Sequence, residues 1–276
     1  MGGYQLAGEL SASQEMVRYA GLVVAATLGC TITFTIPVGM GMLKKSDRLF
    51  FSRGMLIGTG TLPVTLVVGG LLSGLSFLQI VIQSLPVLLF CFLLMFGIWR
   101  FPDATVRAFT VFADIIRLLT TIGLIAGAFC YMTGFSLLPD LAPLEDAMAV
   151  VSSIGIVLLG SLPTAELLQR ALKKPLSFIG RKTGMNDSSA AGLLMGIVSP
   201  VPAITMMEKM DERGKIVNAA FLVSAASTIA AHMGFTFGTD PDFVVPLLVA
   251  KLAGGIAAVC AALFFTKKSA YSNPRK

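Results

Sequence analysis

The feature that most restricts this chain is a succession of apolar runs, near 17–42, 50–75, 77–99, 108–133, 146–169, 188–207, 214–238 and 243–266. Each is at least about the 20 residues that a helix needs to cross a bilayer. In lipid every backbone N–H and C=O must be satisfied within the protein, and a helix does this within one segment. The sequence therefore predicts an all-α, polytopic membrane protein of about seven transmembrane helices, with the segment 188–207 left as a special case. The connections are short and punctuated, as at Pro102-Asp103 and Pro139-Asp140. No linker is long enough to hold a second domain, so residues 1–276 read as a single transporter-like unit.

Composition agrees. Of the 276 residues 55% are hydrophobic and 13% are charged, about half the charge a soluble domain carries. The 28 glycines fall inside apolar runs, where they let helices approach closely. The formal charge of +6 would suggest nucleic acid on a soluble protein, but here the basic residues sit between spans, where they anchor cytoplasmic loops. No nucleic-acid partner is expected; the lipid bilayer is. The first sixteen residues have neither the basic start nor the apolar core of a signal peptide.

Loop charge sets the expected sidedness. If Lys44, Lys45 and Arg48 are cytoplasmic, Arg100 and Arg107 return to that side two spans later. Arg170, Lys173, Lys174, Arg181 and Lys182 return after two more, while the intervening 134–147 loop is acidic (Asp140, Glu145, Asp146). The segment 188–207 decides the side of every later basic residue. A full crossing would strand Lys209, Arg213, Lys215 and the basic tail outside; a re-entrant hairpin returns them to the cytoplasm. Ser199-Pro200-Val201-Pro202 interrupts that segment near its middle, which favours the hairpin, with a substrate site at its tip.

An internal duplication is also expected, between 1–75 and 185–266. Ile36-Pro37-Val38, followed by Met42, Lys44, Asp47 and Arg48, aligns with Val201-Pro202-Ala203, followed by Met207, Lys209, Glu212 and Arg213. The offset is 165 residues (Pro37 to Pro202). Transporters often carry such repeats, with the site at their interface.

Ionisable groups within spans need a reason, since each costs several kcal/mol at the bilayer centre. Asp114 and Arg117 share a helix face and either neutralise one another or form a relay. Glu166 follows Gly160-Ser161-Leu162-Pro163 near a span end, where it can reach the interface or face a site. Lys251 lies among Val249, Ala250, Leu252, Ala253 and Gly254 and needs a carboxylate partner or water. His232, with Ser224, Ser227 and Thr228 on preceding turns, is either a satisfied packing residue or a ligand. Cys30, Cys91, Cys130 and Cys260 form no C-x-x-C pair, so neither a metal site nor a disulfide framework is expected. No nucleophile–base cluster or phosphate loop appears. An enzyme is not expected, nor any cofactor, and a passage or binding role leads.

Several motifs resemble the ethanolamine permease family, EutH. They are Lys174-Pro175-Leu176, Gly184-Met185-Asn186-Asp187 with Ser189-Ala190-Ala191-Gly192, and Met207 through Gly214-Lys215. Asn218-Ala219-Ala220-Phe221, His232 with Gly234-Phe235-Thr236, and Val249-Ala250-Lys251-Leu252 continue the match, as do Met1-Gly2-Gly3-Tyr4 and Ile36-Pro37-Val38. The resemblance implies uptake of ethanolamine or a similar amino alcohol across the cytoplasmic membrane. Under it, Tyr4, Asn186, Asn218, Ser224, Ser227 and Thr228 would bind the substrate, with His232 as acceptor and Lys251 nearby; Asp187, and Asp114 or Glu166, would supply counter-charge. Family members carry a further N-terminal region before Met-Gly-Gly-Tyr, and an Asp where this chain has Ala231. Those departures leave two other readings open: a truncated, non-transporting membrane subunit, or a transporter of another small polar solute. Oligomeric state is not legible.

Overall fold

The computed structural model describes residues 2–10, 13–135 and 182–266, with isolated positions 148, 152, 159, 163, 167, 171 and 180 between them. The expected span 146–169, with Glu166 and the acidic loop before it, lies outside the described residues.

A short helix, α1 (Gly2–Leu10), precedes the first long one, α2 (Gln14–Met42). Two π-helical stretches widen α2, Arg18–Gly29 and Thr31–Thr35, and such widening turns carbonyls away from the regular ladder. Next come α3 (Lys45–Gly60) and α4 (Leu62–Leu72), bent by 40° where Thr61 separates them. Pro63 lacks the N–H that would continue the ladder across that break. A capping box of Ser76 and Gln79 starts α5 (Phe77–Arg100). Pro102 starts α6 (Pro102–Thr133), which ends on Gly134 with φ 69°, a left-handed cap that glycine adopts without strain.

In the last third, α7 (Asp187–Val198) is capped by Asn186 and ends where Ser199 becomes extended. It is followed by α8 (Pro200–Met206), a tight turn (Met207–Lys209) and α9 (Glu212–Ala225), capped by Asp211. A break at Ala226-Ser227 leads through a π turn (Thr228–His232) into α10 (Met233–Thr239), and α11 (Val244–Phe265) closes the described chain.

Among the described residues there are helices and no strands. Five spans are long and apolar enough to cross a membrane, counting α9 to α10 (Glu212–Thr239) as one, and six if the bent pair α3–α4 counts as another. The chain is therefore a multi-pass α-helical membrane protein. The expected count of about seven, which left 188–207 aside as a hairpin, is not reached among these residues, because 146–169 lies outside them.

That segment turns back on itself. The Asn186 side chain donates to the Lys209 carbonyl at 3.0 Å, and the Asn186 backbone N–H donates to Asp211 Oδ1 at 2.9 Å. A segment whose two ends are hydrogen-bonded cannot have crossed anything between them. Its longer arm, 12 residues, reaches only about 18 Å, short of a hydrocarbon core of about 30 Å. The same end of the protein holds the start of α3, tied to the hairpin base by Lys44 with Glu208 and by Lys215 Nζ to Asp47 Oδ1 at 2.7 Å. It also holds the end of α11, whose Phe265 and Leu263 carbonyls accept from Arg53 and Arg213. The described basic groups of the 44–53 and 209–215 segments are thus gathered at one end.

From that end α3 and α9 run parallel with their backbones nearly touching. A Cβ at Gly54 would lie 2.3 Å from the Ile216 carbonyl oxygen, and one at Gly58 2.4 Å from that of Ala220. The opposite end is clamped by Arg18 at the start of α2 and Asp240 before α11, with two hydrogen bonds of 2.5 and 3.0 Å. The Arg18 guanidinium holds the Asp240 carboxyl below its usual range. A carboxyl depressed in the folded state adds stability above its unfolded pKa of about 3.9 and loses it as pH falls through the folded value. Wild-type protein should accordingly lose thermal stability in detergent on titration below about pH 4. Asp240→Asn should be destabilised at neutral pH and show a flatter acid limb, and an unchanged limb would exclude the clamp as its source.

Candidate functional site

Three helices that start at the hairpin end stop partway through the protein: α3 at Gly60, α7 at Val198 and α9 at Ala225. Contacts draw their ends together. The Ser227 N–H donates to the Gly196 carbonyl at 3.0 Å, joining the tip of α7 to the break after α9. Thr65 Oγ1 on α4 donates to Ser224 Oγ at 3.0 Å, and Thr31 Oγ1 on α2 donates to the Val223 carbonyl at 3.2 Å. Gly254 lets α11 close over this crossing: a Cβ there would sit 1.7 Å from Thr65 Oγ1 and 2.8 Å from Ser224 Oγ. A helix C-terminus carries a partial negative charge. The last carbonyls of α3 are taken up by Thr61 and Cys91, and those of α7 and α9 only in part by the bonds above. The ends of α7 and α9 therefore make this region favourable to a cation without a carboxylate among the described residues.

The break itself is strained and polar. Ser227 has φ 55° and ψ 22°, the one non-glycine residue with positive φ among those described, and such backbone concentrates at functional sites. Thr228 Oγ1 donates to the Ala225 carbonyl at 2.7 Å, and His232 Nδ1 lies 3.1 Å from the Ala226 carbonyl. A carbonyl only accepts, so Nδ1 carries the hydrogen and Nε2 is left as an acceptor. His232 is half-buried; Ala231 beside it is exposed. Opposite lies Lys251, with no solvent exposure. Its Nζ donates to the Ala26 carbonyl at 3.1 Å, within the π-helical part of α2, and this is its only acceptor among the described residues. Cys30 and His232 lie within electrostatic reach of that ammonium. Tyr4 packs edge-on against Phe235, ring centroids 5.9 Å apart, one turn beyond His232, while α1 lies along α2 with Gly3 against Ala25.

The sequence-derived residues therefore separate into groups. Ser224, Ser227, Thr228, His232 and Lys251 come together, with Tyr4 at their border. Asn218 is buried lower in α9, where its amide donates to the Ser189 and Gly214 carbonyls at 2.8 and 2.9 Å and pins α7 to α9. Asn186 and Asp187 are exposed at the hairpin base, where Asn186 acts as the cap of α7; from there to Ser224 is about 20 Å along α9. Asp114 pairs with Arg117 at 3.4 Å on α6, both about two-fifths exposed, on a helix whose neighbouring Ile115, Leu118 and Leu119 face outward. Glu166 lies outside the described residues. Sequence reasoning missed Thr65, the Ala26 carbonyl and the threonines of α2. Thr27, Thr31 and Thr35 recur every fourth residue within an apolar run and are all buried; that spacing is the signal that could have found them.

Known proteins bear on this arrangement. A family model described as ethanolamine utilisation protein, EutH, matches residues 1–265. The chain belongs to the EutH family. A Listeria monocytogenes protein named "Probable ethanolamine permease EutH" is 37% identical over 276 residues, which is 100% of this chain and 74% of that protein. Proteins of the same name from Escherichia coli and Salmonella typhimurium are each 34% identical over 292 residues, covering 97% of this chain and 72% of theirs. No solved structure matches the chain. Within this EutH-family chain, the matched region includes every helix that builds the break.

Proposed function

We propose that this chain is a permease carrying ethanolamine or a closely similar amino-alcohol cation across the cytoplasmic membrane, and that the substrate binds where α3, α7 and α9 end. The observation that carries the reading is the meeting of the α7 and α9 C-termini at a polar break inside a membrane protein. An ammonium group suits their partial negative charge, while the substrate hydroxyl can pair with His232 Nε2 or with Ser227 and Thr228. The relatives named as probable ethanolamine permeases support both the transport role and the substrate class. The gathering of basic residues at the hairpin end supports a cytoplasmic position for that end. Asp187, exposed there, would be a counter-charge met at the hairpin entrance. An internal duplication belongs to the same reading. Gly54 meets Ala219 and Gly58 meets Val223, pairs that are each 165 residues apart, and α3 and α9 stop at Gly60 and Ala225, at the same offset.

The test is uptake of labelled ethanolamine at mildly acid pH by cells lacking their own permease, where a primary amine is almost wholly the impermeant cation. Expression of this chain should give uptake that unlabelled ethanolamine competes. His232→Ala removes an acceptor for a charged or hydroxyl donor and should lower uptake about tenfold, with membrane insertion unchanged. Absence of uptake from inserted wild-type protein would move the assignment to a non-transporting subunit; uptake of other small polar solutes alone would move it to a different substrate.

A further inference from the structure

A membrane-buried lysine with no carboxylate beside it among the described residues is the group whose presence the proposed function does not explain. The Lys251 ammonium lies beyond the C-terminal ends of α7 and α9, since Gly254 and Gly255, one turn further along α11, touch Ser224 and Ala225. It is fully enclosed and is held by the Ala26 carbonyl. In effect a tethered cation occupies the place that the converging helix ends make favourable to a positive charge.

Among the described residues the charges around it are few. From α2, Cys30 lies within electrostatic reach of it, and Arg18 is paired with Asp240 at the far end. From the turn after α9, His232 lies within electrostatic reach of it. The described lengths of α4 and α10 carry no ionisable side chain. In α3 and α9 the ionisable side chains are Lys45, Asp47, Arg48, Arg53, Glu212, Arg213 and Lys215, all toward the hairpin end, where Asp47 and Lys215 pair and Arg53 and Arg213 reach the last carbonyls of α11. Asp240 and Asp242 precede α11 at the opposite end, the first engaged by Arg18. Thiol and imidazole supply no negative charge at neutral pH. Among the described residues, then, nothing at the break compensates a second positive charge. Two like charges within a few ångströms repel strongly at low dielectric.

We infer that Lys251 exchanges its proton for the substrate ammonium, so that this permease moves one proton outward for each cation carried inward. The inference rests on the proposed function. When the site faces the outside, the substrate R–NH3+ enters and Lys251 releases one proton to the water on that side, becoming the neutral amine. After reorientation the substrate leaves to the cytoplasm, and Lys251 takes one proton from the water there. Ala26 and the helix ends hold whichever cation is present. The net exchange is electroneutral: one organic cation in, one proton out. Lysine suits the role because its ammonium gives up a proton readily when buried, which a guanidinium does not.

The test uses purified full-length protein in liposomes loaded with a pH-sensitive dye, at mildly acid pH, with protein-free liposomes as control. Exchange of internal unlabelled for external labelled ethanolamine checks the permease itself. Net uptake by the wild type should raise the internal pH, and a potassium–valinomycin potential, negative inside, should change its initial rate less than twofold. Lys251→Met should lose the pH rise, and whatever net uptake remains should become accelerated by that potential. Lys251→Arg, permanently charged, should lower exchange at least tenfold. Wild-type uptake that the potential accelerates several-fold while internal pH stays constant would overturn the inference and leave the permease reading intact. No labelled exchange by inserted wild-type protein would overturn that reading, and this inference with it. Should Lys251→Met insert poorly, the wild-type potential and pH readings still decide the matter by themselves.

Discussion

Gly54→Val is expected to be the most damaging single change outside the polar break. The added side chain would drive its Cβ to 2.3 Å from the Ile216 carbonyl oxygen and 2.5 Å from the Ala219 Cβ. The first of these is backbone of α9 and cannot rotate aside, so α3 and α9 must separate along their length. Overpacking a core costs about 1–3 kcal/mol even when side chains can yield, and here they cannot, so a loss of more than about 3 kcal/mol is expected. The check is the thermal midpoint and the monodisperse fraction in detergent. Gly123→Ala on α6, where a Cβ would meet no atom within 4 Å, is the matched control and should be unchanged or slightly stabilised, since alanine is the better helix former. Equal loss in both would mean that the close approach of α3 and α9 does not stabilise the fold.

Lys215→Met should come close behind. Lys215 and Asp47 are about nine-tenths buried at 2.7 Å, with the ammonium also 5.8 Å from the Phe50 ring centroid. Removing one partner leaves the other charge buried and uncompensated, which typically costs about 3–5 kcal/mol. Replacing both, as Asp47→Leu with Lys215→Met, removes the stranded charge and should recover most of that loss. The double-mutant cycle in thermal stability is the measurement, and simple additivity of the two losses would exclude a direct coupling. Because this pair ties the start of α3 to that of α9, its loss should also weaken the alignment of their far ends, and uptake should fall even in the folded fraction.

These predictions concern features that the sequence showed unequally. Hydropathy alone placed the spans to within a few residues: Phe77–Arg100 against 77–99, Glu212–Thr239 against 214–238, and Pro241–Phe265 against 243–266. That is a one-dimensional signal, set by the thickness of the bilayer and the rise of a helix. The two prolines after Ser199 and the imbalance of loop charge likewise pointed to a hairpin, since each acts locally or by simple side. Gly54 and Gly58 could be read as a packing face from their spacing, but not against which helix they pack.

What only the tertiary structure decided is who stands beside whom. Asn186, Asp187 and Asn218 carry the same polar chemistry as Ser227 and Thr228, yet the first two end at the hairpin base and the third pins α7 to α9. Nothing in residue type or spacing distinguishes capping a helix from facing a site, because both use the same donors and acceptors. Thr65 and the Ala26 carbonyl joined the break only through the crossing of α4, α2, α9 and α11, and a backbone carbonyl leaves no mark in a sequence at all. The chain by itself determined that helices fill a membrane and roughly where each span lies, because lipid penalises every unpaired backbone group. Which of their interruptions meet was settled by close packing of glycine faces, an interaction between residues far apart in the chain.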